Sequence, residues 1–390
     1  MSAIRPLPVG DDALAILPDV EAALTGTAPI APFADDGTPP DIGDGAGGDL
    51  PDDLALVVGT SGSTGTPKLA LLTAAALTAS GAATHDRLGG PGQWLLAMPA
   101  RHIAGIQVLA RSILAGVTPA TMDLSGGFTP FGFLQATAAM VGPRRYTSLV
   151  PTQLARLLAD PVGTEALKRY DAVLVGGAGT PPQVLGEAHA KGVRAVTTYG
   201  MSETAGGCVY DGRALTPTEI HLEDDGRIQL GGETLAHGYL GQPDRSAEHF
   251  RTGPDGVRWF RTDDLGHLDE RGRLHVDGRI DDVITTGGYK VAPRVVEEAV
   301  LAHVPAAQAA VVVASPDQQW GEAVCLAVVT GPDGPPPGPV DPALRDSLRD
   351  LLRPHLPGHA LPHRVIVATT LPLRGPGKPD RRAIGAWFAP

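Results

Sequence analysis

The stretch GTSGSTGTPK, residues 59–68, packs three glycines, five hydroxyl side chains, a proline and a terminal lysine into ten positions. Glycine lets the backbone take positive φ and come close to a ligand. Runs of free N–H groups bind anions, and a lysine adds a point charge. The composition therefore points to a phosphate. The G-x-x-x-x-G-K-[ST] phosphate loop does not fit, because Pro67 stands where its glycine belongs and Leu69 where its hydroxyl belongs. The short apolar runs LALVV (54–58) and LALLT (69–73) flank the stretch. The loop thus joins two strands, whereas the Walker loop joins a strand to a helix.

Outward from the loop, TAAALTASGAATHDRL predicts a helix with Thr73 as its N-cap. Strand and helix patterns then alternate through QWLLAMP, IAGIQVLARSILAG, YTSLVP, TQLARLLAD, DAVLVGGAG, VLGEAHAKG and AVTTYG. That is βα alternation, which implies an α/β domain on a largely parallel sheet. Near Ile220 the texture turns to strands and turns, a small β subdomain. After GRIDD come two helical and several strand patterns, a compact α+β unit. The expected organisation is a large N-terminal α/β domain with a small β subdomain over residues 1–280, and a small mobile α+β domain over 281–390. The Gly/Pro/Asp segment 37–53 is expected to be a mobile loop.

With 390 residues, 43% of them apolar, the chain has ample core for two or three domains. Aromatics are only 4%, so Ala, Val, Leu and Ile must build that core. The net charge of −12 argues against sequence-independent binding to nucleic acid or an anionic membrane. Cys208 and Cys325 are too few for a disulfide scaffold or a cysteine-rich zinc site. The N-terminal residues carry acids and prolines where a secretory signal has an apolar run, and no 18-residue apolar span occurs. A cytoplasmic protein without stable membrane insertion is expected; the oligomeric state stays open, a homo-oligomer included.

Four further stretches carry chemistry. TYGMSETAGG (198–207) sets Glu203 in a turn after a strand, where a carboxylate suits Mg²⁺, although alone it reads as a solvated loop acid. WFRTDDLGHL (259–268) offers Asp264 for ribose hydroxyls, or merely a turn-forming acid pair. GRIDDVITTGGYK (278–290) sets Arg279 beside Asp281 and Asp282 at the inferred domain junction, which also reads as a surface ion pair. LPLRGPGKPDRRAI (371–384) holds Lys378 between Gly377 and Pro379, or is a basic tail. VLVGGAGTPP (173–182) lacks the G-x-G-x-x-G spacing of a dinucleotide site. His102 in MPARHIAG is a lone histidine, by default a core or loop residue.

Taken in order, these motifs resemble the adenylate-forming superfamily of acyl-CoA synthetases, adenylation domains and luciferases, from about Leu54 to Arg382. Asp263 departs from the family's T-G-D pattern, while Asp264 keeps the acid. The phosphate loop comes early in the chain, and SLVPTQLARLL, VLVGGAG and TTYGMSETAGGCVYDG are similar to the actinobacterial o-succinylbenzoate–CoA ligases within the family. The resemblance implies an acid–CoA ligase that uses ATP, Mg²⁺ and CoA and forms an acyl-adenylate and then a thioester. It places Thr60, Ser61, Gly62, Ser63, Thr64 and Lys68 on the phosphates, with Glu203 on the metal and Thr204 close by. Gly177, Ala178, Tyr199 and Gly200 fall on the nucleoside, and Asp264 and Arg279 on the ribose. Lys378 bridges the carboxylate and the α-phosphate, Asp281 is the hinge, and Gly288 lets CoA pass. The second carboxylate of o-succinylbenzoate needs a donor or cation; His102 comes first, then Arg101 or Ser202. Two rivals are another acyl- or aryl-CoA ligase or carrier-protein adenylation enzyme, and a non-catalytic AMP-binding protein. The joint presence of Lys68, Glu203, Asp264, Arg279 and Lys378 speaks against the second.

Overall fold

The computed structural model describes residues 3–43, 50–60, 68–331, 334–373 and 379–389. They form two compact units. The first comprises residues 1–180, 187–262 and 268–274; the second comprises 181–186, 263–267 and 275–390.

The α/β part of the first unit holds two sheets where the sequence suggested one. Strands β1 (Arg5–Val9), β2 (Ile30–Ala34), β3 (Leu54–Gly59) and β4 (Leu69–Thr73) lie side by side in that order, with Gly238–Tyr239 on the far edge. β1, β2 and β3 are parallel, and β3 and β4 form an antiparallel hairpin. The second sheet contains β5 (Gln93–Leu96), β6 (Ala120–Thr121), β7 (Arg145–Leu149), β8 (Ala172–Val175), β9 (Ala195–Met201), β10 (Gly206–Tyr210) and β11 (Arg213–Ala214). Its order is β11-β10-β9-β8-β7-β5-β6. From β6 through β9 the pairing is parallel, and β10 returns antiparallel along β9. The parallel strands β5 and β8 are buried throughout, as expected of a sheet covered on both faces.

Helices α1 (Leu17–Leu24), α2 (Ala74–Arg87) and α3 (Ile103–Ala115) pack together in this unit. The Thr73 hydroxyl accepts from the Ala76 amide at 3.0 Å, so the expected N-cap is present. Helix α3 ends on Gly116 at φ 64°, a left-handed C-cap. A third sheet follows, with Glu219–Leu222, Arg227–Gly231, Phe250–Thr252 and the strand Arg258–Leu268, whose residues 263–267 belong to the second unit.

In the second unit, Ala307–Asp317 and Gly321–Thr330 make a long antiparallel pair, and Arg364–Ala368 runs parallel to the latter. Residues alternate between two cores. Val312, Val324, Leu326 and Val328 pack with Val296 and Val300 of Pro293–His303 and Leu352 of Pro342–Leu352. Val311, Val313, Cys325 and Ala327 pack with Ile384 and Phe388. The segment ALRDSLRDLLRPHL (343–356) reads as one helix in sequence, but the helix Pro342–Leu352 stops before RPHL. No helix among the described residues is long and apolar enough to cross a membrane.

Candidate active site

The hairpin closes at the base of the glycine-rich stretch: the Thr60 amide donates to the Lys68 carbonyl at 2.8 Å. Ser61, Gly62, Ser63 and Thr64 lie outside the described residues. Lys68 is 8% exposed, and its Nζ stands 5.3 Å from the centroid of the Tyr239 ring. That contact sets the ammonium itself against an aromatic ring.

The Ser202 hydroxyl donates to the Gly59 carbonyl at 3.4 Å, which ties the 198–207 turn to the strand that enters the loop. β9 ends, Ser202–Thr204 makes one 3₁₀ turn, and Ala205 in the left-handed region at φ 52° reverses the chain into β10. The reversal is tight. A Cβ on Gly200 would overlap the carbonyl oxygen of Gly206, so only glycine fits there. The Thr204 hydroxyl donates to the Gly206 carbonyl at 2.7 Å and accepts from the Met201 amide at 2.9 Å. Thr204 is therefore a brace of the turn.

Glu203 is buried. Its Oε1 accepts from the Tyr239 hydroxyl at 3.0 Å, and its carbonyl accepts from the Ala236 amide at 2.8 Å. Burial pushes its carboxyl pKa up, against the opposing pull of its own backbone amide, the Tyr239 hydroxyl, Lys68 and His249. Tyr239 thus touches both the loop lysine and the turn acid, a link the sequence reading missed.

The remaining candidates of the first unit sit at the carboxyl ends of parallel strands, where α/β sheets bind ligands. Gly177 and Ala178 follow β8, and Tyr199 and Gly200 lie at the end of β9. Arg101 and His102 follow β5 and are half-buried. The His102 carbonyl accepts from the Gly105 and Ile106 amides at 3.0 Å each, so His102 is the N-cap residue of α3.

Arg111, on the same helix, is the residue the sequence reading passed over. It is 3% exposed, lies over the Trp94 ring at 5.0 Å, and its Nη2 donates to the Tyr210 hydroxyl at 3.5 Å. Among the described residues its Nε has no partner and no carboxylate pairs with it. Burial lowers its pKa, opposed by Tyr210. Its neighbour His85 is pushed down to about 4, by burial and then by Arg111. That fits the acceptor role of His85 Nε2 toward the Trp94 indole N–H at 3.3 Å. The signal was present in IAGIQVLARSILAG, where Gln107 and Arg111 lie four apart in an otherwise apolar helix.

In the second unit, Arg279 stands 3.9 Å from Asp264, 3.5 Å from Asp263 and 3.3 Å from Asp281. Burial opposes its charge, but the carboxylates, Asp264 foremost, outweigh it and raise its pKa. Asp281 lies in the 3₁₀ turn Ile280–Asp282. Gly288 has φ 82°, and a Cβ there would meet open space. Lys378 lies outside the described residues.

The sequence profile of the AMP-binding enzymes matches residues 22–239, and that of the AMP-binding enzyme C-terminal domain matches 296–378. The chain belongs to the AMP-binding enzyme family. A probable 2-succinylbenzoate–CoA ligase of Mycobacterium tuberculosis is 46% identical over 88% of this chain and 87% of its own length. The amide bond synthetase McbA of Marinactinospora thermotolerans superposes with a TM-score of 0.74 at 29% identity, over 87% of this chain and 70% of that one. The o-succinylbenzoate coenzyme A synthetase MenE of Bacillus subtilis, in complex with ATP and magnesium ion, gives 0.69 at 26% identity, over 84% and 69%.

Within this AMP-binding enzyme, the first unit gathers Thr60, Lys68, Ser202, Glu203 and Thr204 around one strand end and one turn. Asp264, Arg279 and Asp281 gather separately in the second unit. Among the described residues no group of three or more His, Cys, Asp or Glu side chains could hold a metal ion by itself. One buried carboxylate near Lys68 does suit Mg²⁺, which keeps its waters and takes most other oxygens from substrate phosphates.

Proposed function

We propose that this protein is an AMP-forming acid–CoA ligase whose acid is o-succinylbenzoate, the 2-succinylbenzoate of its relative's name, in menaquinone biosynthesis. The observation that carries the substrate is the 46% identity, over 88% of this chain, to a probable 2-succinylbenzoate–CoA ligase; Arg111 is the proposed partner of the acid's second carboxylate. A buried guanidinium without a carboxylate partner is costly. A substrate with a second carboxylate supplies the missing counter-charge, whereas a fatty acid or a simple aromatic acid does not. Arg111 therefore takes precedence over His102, Arg101 and Ser202 as the partner of that carboxylate.

The acid's aliphatic carboxylate attacks the α-phosphate of ATP, and pyrophosphate leaves. The CoA thiol then attacks the acyl carbon of the adenylate, and AMP leaves. Ser61, Ser63, Thr64 and Lys68 cradle the β- and γ-phosphates, with Thr60 and Gly62 shaping the loop. Glu203 would hold Mg²⁺, which when bound neutralises phosphate charge. Thr204 keeps the turn beside the phosphates. Gly177, Ala178, Tyr199 and Gly200 lie along the nucleoside, and Asp264 and Arg279 take the ribose. Lys378 bridges the incoming carboxylate and the α-phosphate. A C-terminal domain over 281–390 turns at Asp281 between the two steps, and the open left-handed backbone at Gly288 leaves room for CoA.

The likeness to an amide bond synthetase supports one other second step, capture of the adenylate by an amine. AMP formation measured with o-succinylbenzoate, benzoate and a fatty acid, each with CoA or an amine, separates these readings. Arg111→Met should lower kcat/KM for o-succinylbenzoate by about 30-fold to 1,000-fold, or about 2–4 kcal/mol, and leave benzoate use within about threefold. An unchanged preference between the two acids rejects the Arg111 assignment. Turnover of fatty acids with none of o-succinylbenzoate rejects the substrate.

A further inference from the structure

Two helices reach the backbone of the Glu203 turn at a single atom. The Ser80 hydroxyl of α2 and the Gln107 amide of α3 both donate to the Ala205 carbonyl, at 2.9 and 2.7 Å. Ser80 and Gln107 are each 1% exposed, and Ala205 is fully buried. Ala205 carries a Cβ in the left-handed region, which disfavours L-residues and persists only where the surroundings enforce it. It directly follows Glu203 and Thr204. Gln107 gives up something for this contact, since its Oε1 is buried without a partner among the described residues. Turning the amide over would set an oxygen against the Ala205 carbonyl, so the orientation is fixed. Its Cγ also lies 3.2 Å from where a Cβ on Gly206 would stand, closing the far side of the turn.

We infer that Ser80 and Gln107 are positioning residues: a two-donor clamp that holds Ala205 left-handed and thereby presets Glu203 and Thr204 for the adenylation step. The inference rests on the proposed ligase reading for its kinetic consequence but not for its structural one. Neither residue touches the reacting groups; both act through the backbone of the turn.

The test pairs clamp variants with relief of the strain they oppose. Gln107→Met keeps length and removes the donor; Ser80→Ala removes the other. Each should lower kcat for pyrophosphate release by about tenfold while KM for the acid moves less than about threefold. Glycine enters the left-handed region freely. Ala205→Gly in the Gln107→Met background should therefore restore kcat to within about threefold of Ala205→Gly alone. A loss through general destabilisation would not be rescued, because added glycine flexibility ordinarily weakens a fold. The Ala205 amide donates to the Ser202 carbonyl at 3.1 Å, so its hydrogen exchange reads the turn without any substrate. Exchange there should rise in either clamp variant and fall again in the Gln107→Met/Ala205→Gly protein. Unchanged exchange in both clamp variants, or absence of rescue, overturns the clamp. Wild-type protein that activates no acid overturns the ligase reading and leaves the exchange result to judge the clamp.

Discussion

Glu203 sits in an environment that disfavours its own ionisation. Its carboxyl is buried, and the Tyr239 hydroxyl, its own amide, Lys68 and His249 offset part of the loss of water. A residue kept against a stability cost is best explained by work done with a ligand. Glutamine has the same shape, can still accept from Tyr239, and carries no charge to desolvate. Glu203→Gln should therefore raise the melting temperature of the ligand-free protein by a few degrees, for a gain of about 1 kcal/mol. Mg²⁺-dependent pyrophosphate release should fall by about 10²–10³. Thermal unfolding without ligand, beside a pyrophosphate assay, checks both; a variant that is less stable and still active would remove Glu203 from the metal site. At this scale the sequence singled out candidates where polar chemistry is concentrated in a motif, as at Lys68 and Glu203. It only hinted at Arg111, through the Gln107–Arg111 spacing, and was silent at Tyr239; both take their meaning from neighbours far along the chain. A buried arginine and a buried leucine occupy the same helical face, and only the missing partner tells them apart.

Among the elements, the β9–β10 reversal is where local geometry bears most directly on the site. β10 lies antiparallel on β9, so Gly206 and Gly207 oppose Met201 and Gly200 with almost no space between the backbones. Gly200→Ala would drive its methyl into the Gly206 carbonyl. It should cost about 1–3 kcal/mol of stability and depress adenylation more than the stability loss alone explains. The comparison is kcat measured well below the melting transition, and a variant with normal kcat there would show that the turn tolerates displacement. The helices and strands themselves were largely readable. Thr73 capped α2 as expected, and the apolar runs on either side of residues 59–68 became a hairpin. What escaped the sequence was the partition of strands between two sheets. β3 and β5 are equally apolar, and nothing within five residues says which neighbour a buried strand will choose.

At the scale of the molecule, acid should loosen the first unit through His85. Its folded pKa of about 4 lies below the 6.5 of an ordinary histidine. The unfolded chain therefore takes up a proton that the folded chain refuses. The stabilisation is complete above pH 6.5, is lost as pH falls from there toward 4, and changes no further below. Wild-type protein should lose melting temperature between pH 7 and 5, and His85→Gln should lose less; parallel curves would show that His85 titrates normally. The change of texture along the chain suggested a larger and a smaller domain. The path of the chain was not legible there, for the second compact unit is assembled from three separate segments. Its strand Leu274–Arg279 pairs with the strand ending at Leu268, and the His267 imidazole meets Asp277 at 3.0 Å. A scissors-and-paste view of the protein fails at this point. A fragment begun at residue 275 would be born with a bare strand edge, its partner left behind in the other piece, and bare edges seek other chains. Anyone wishing to study the smaller unit in isolation would need to carry residues 263–274 along with it, or graft a substitute strand in their place.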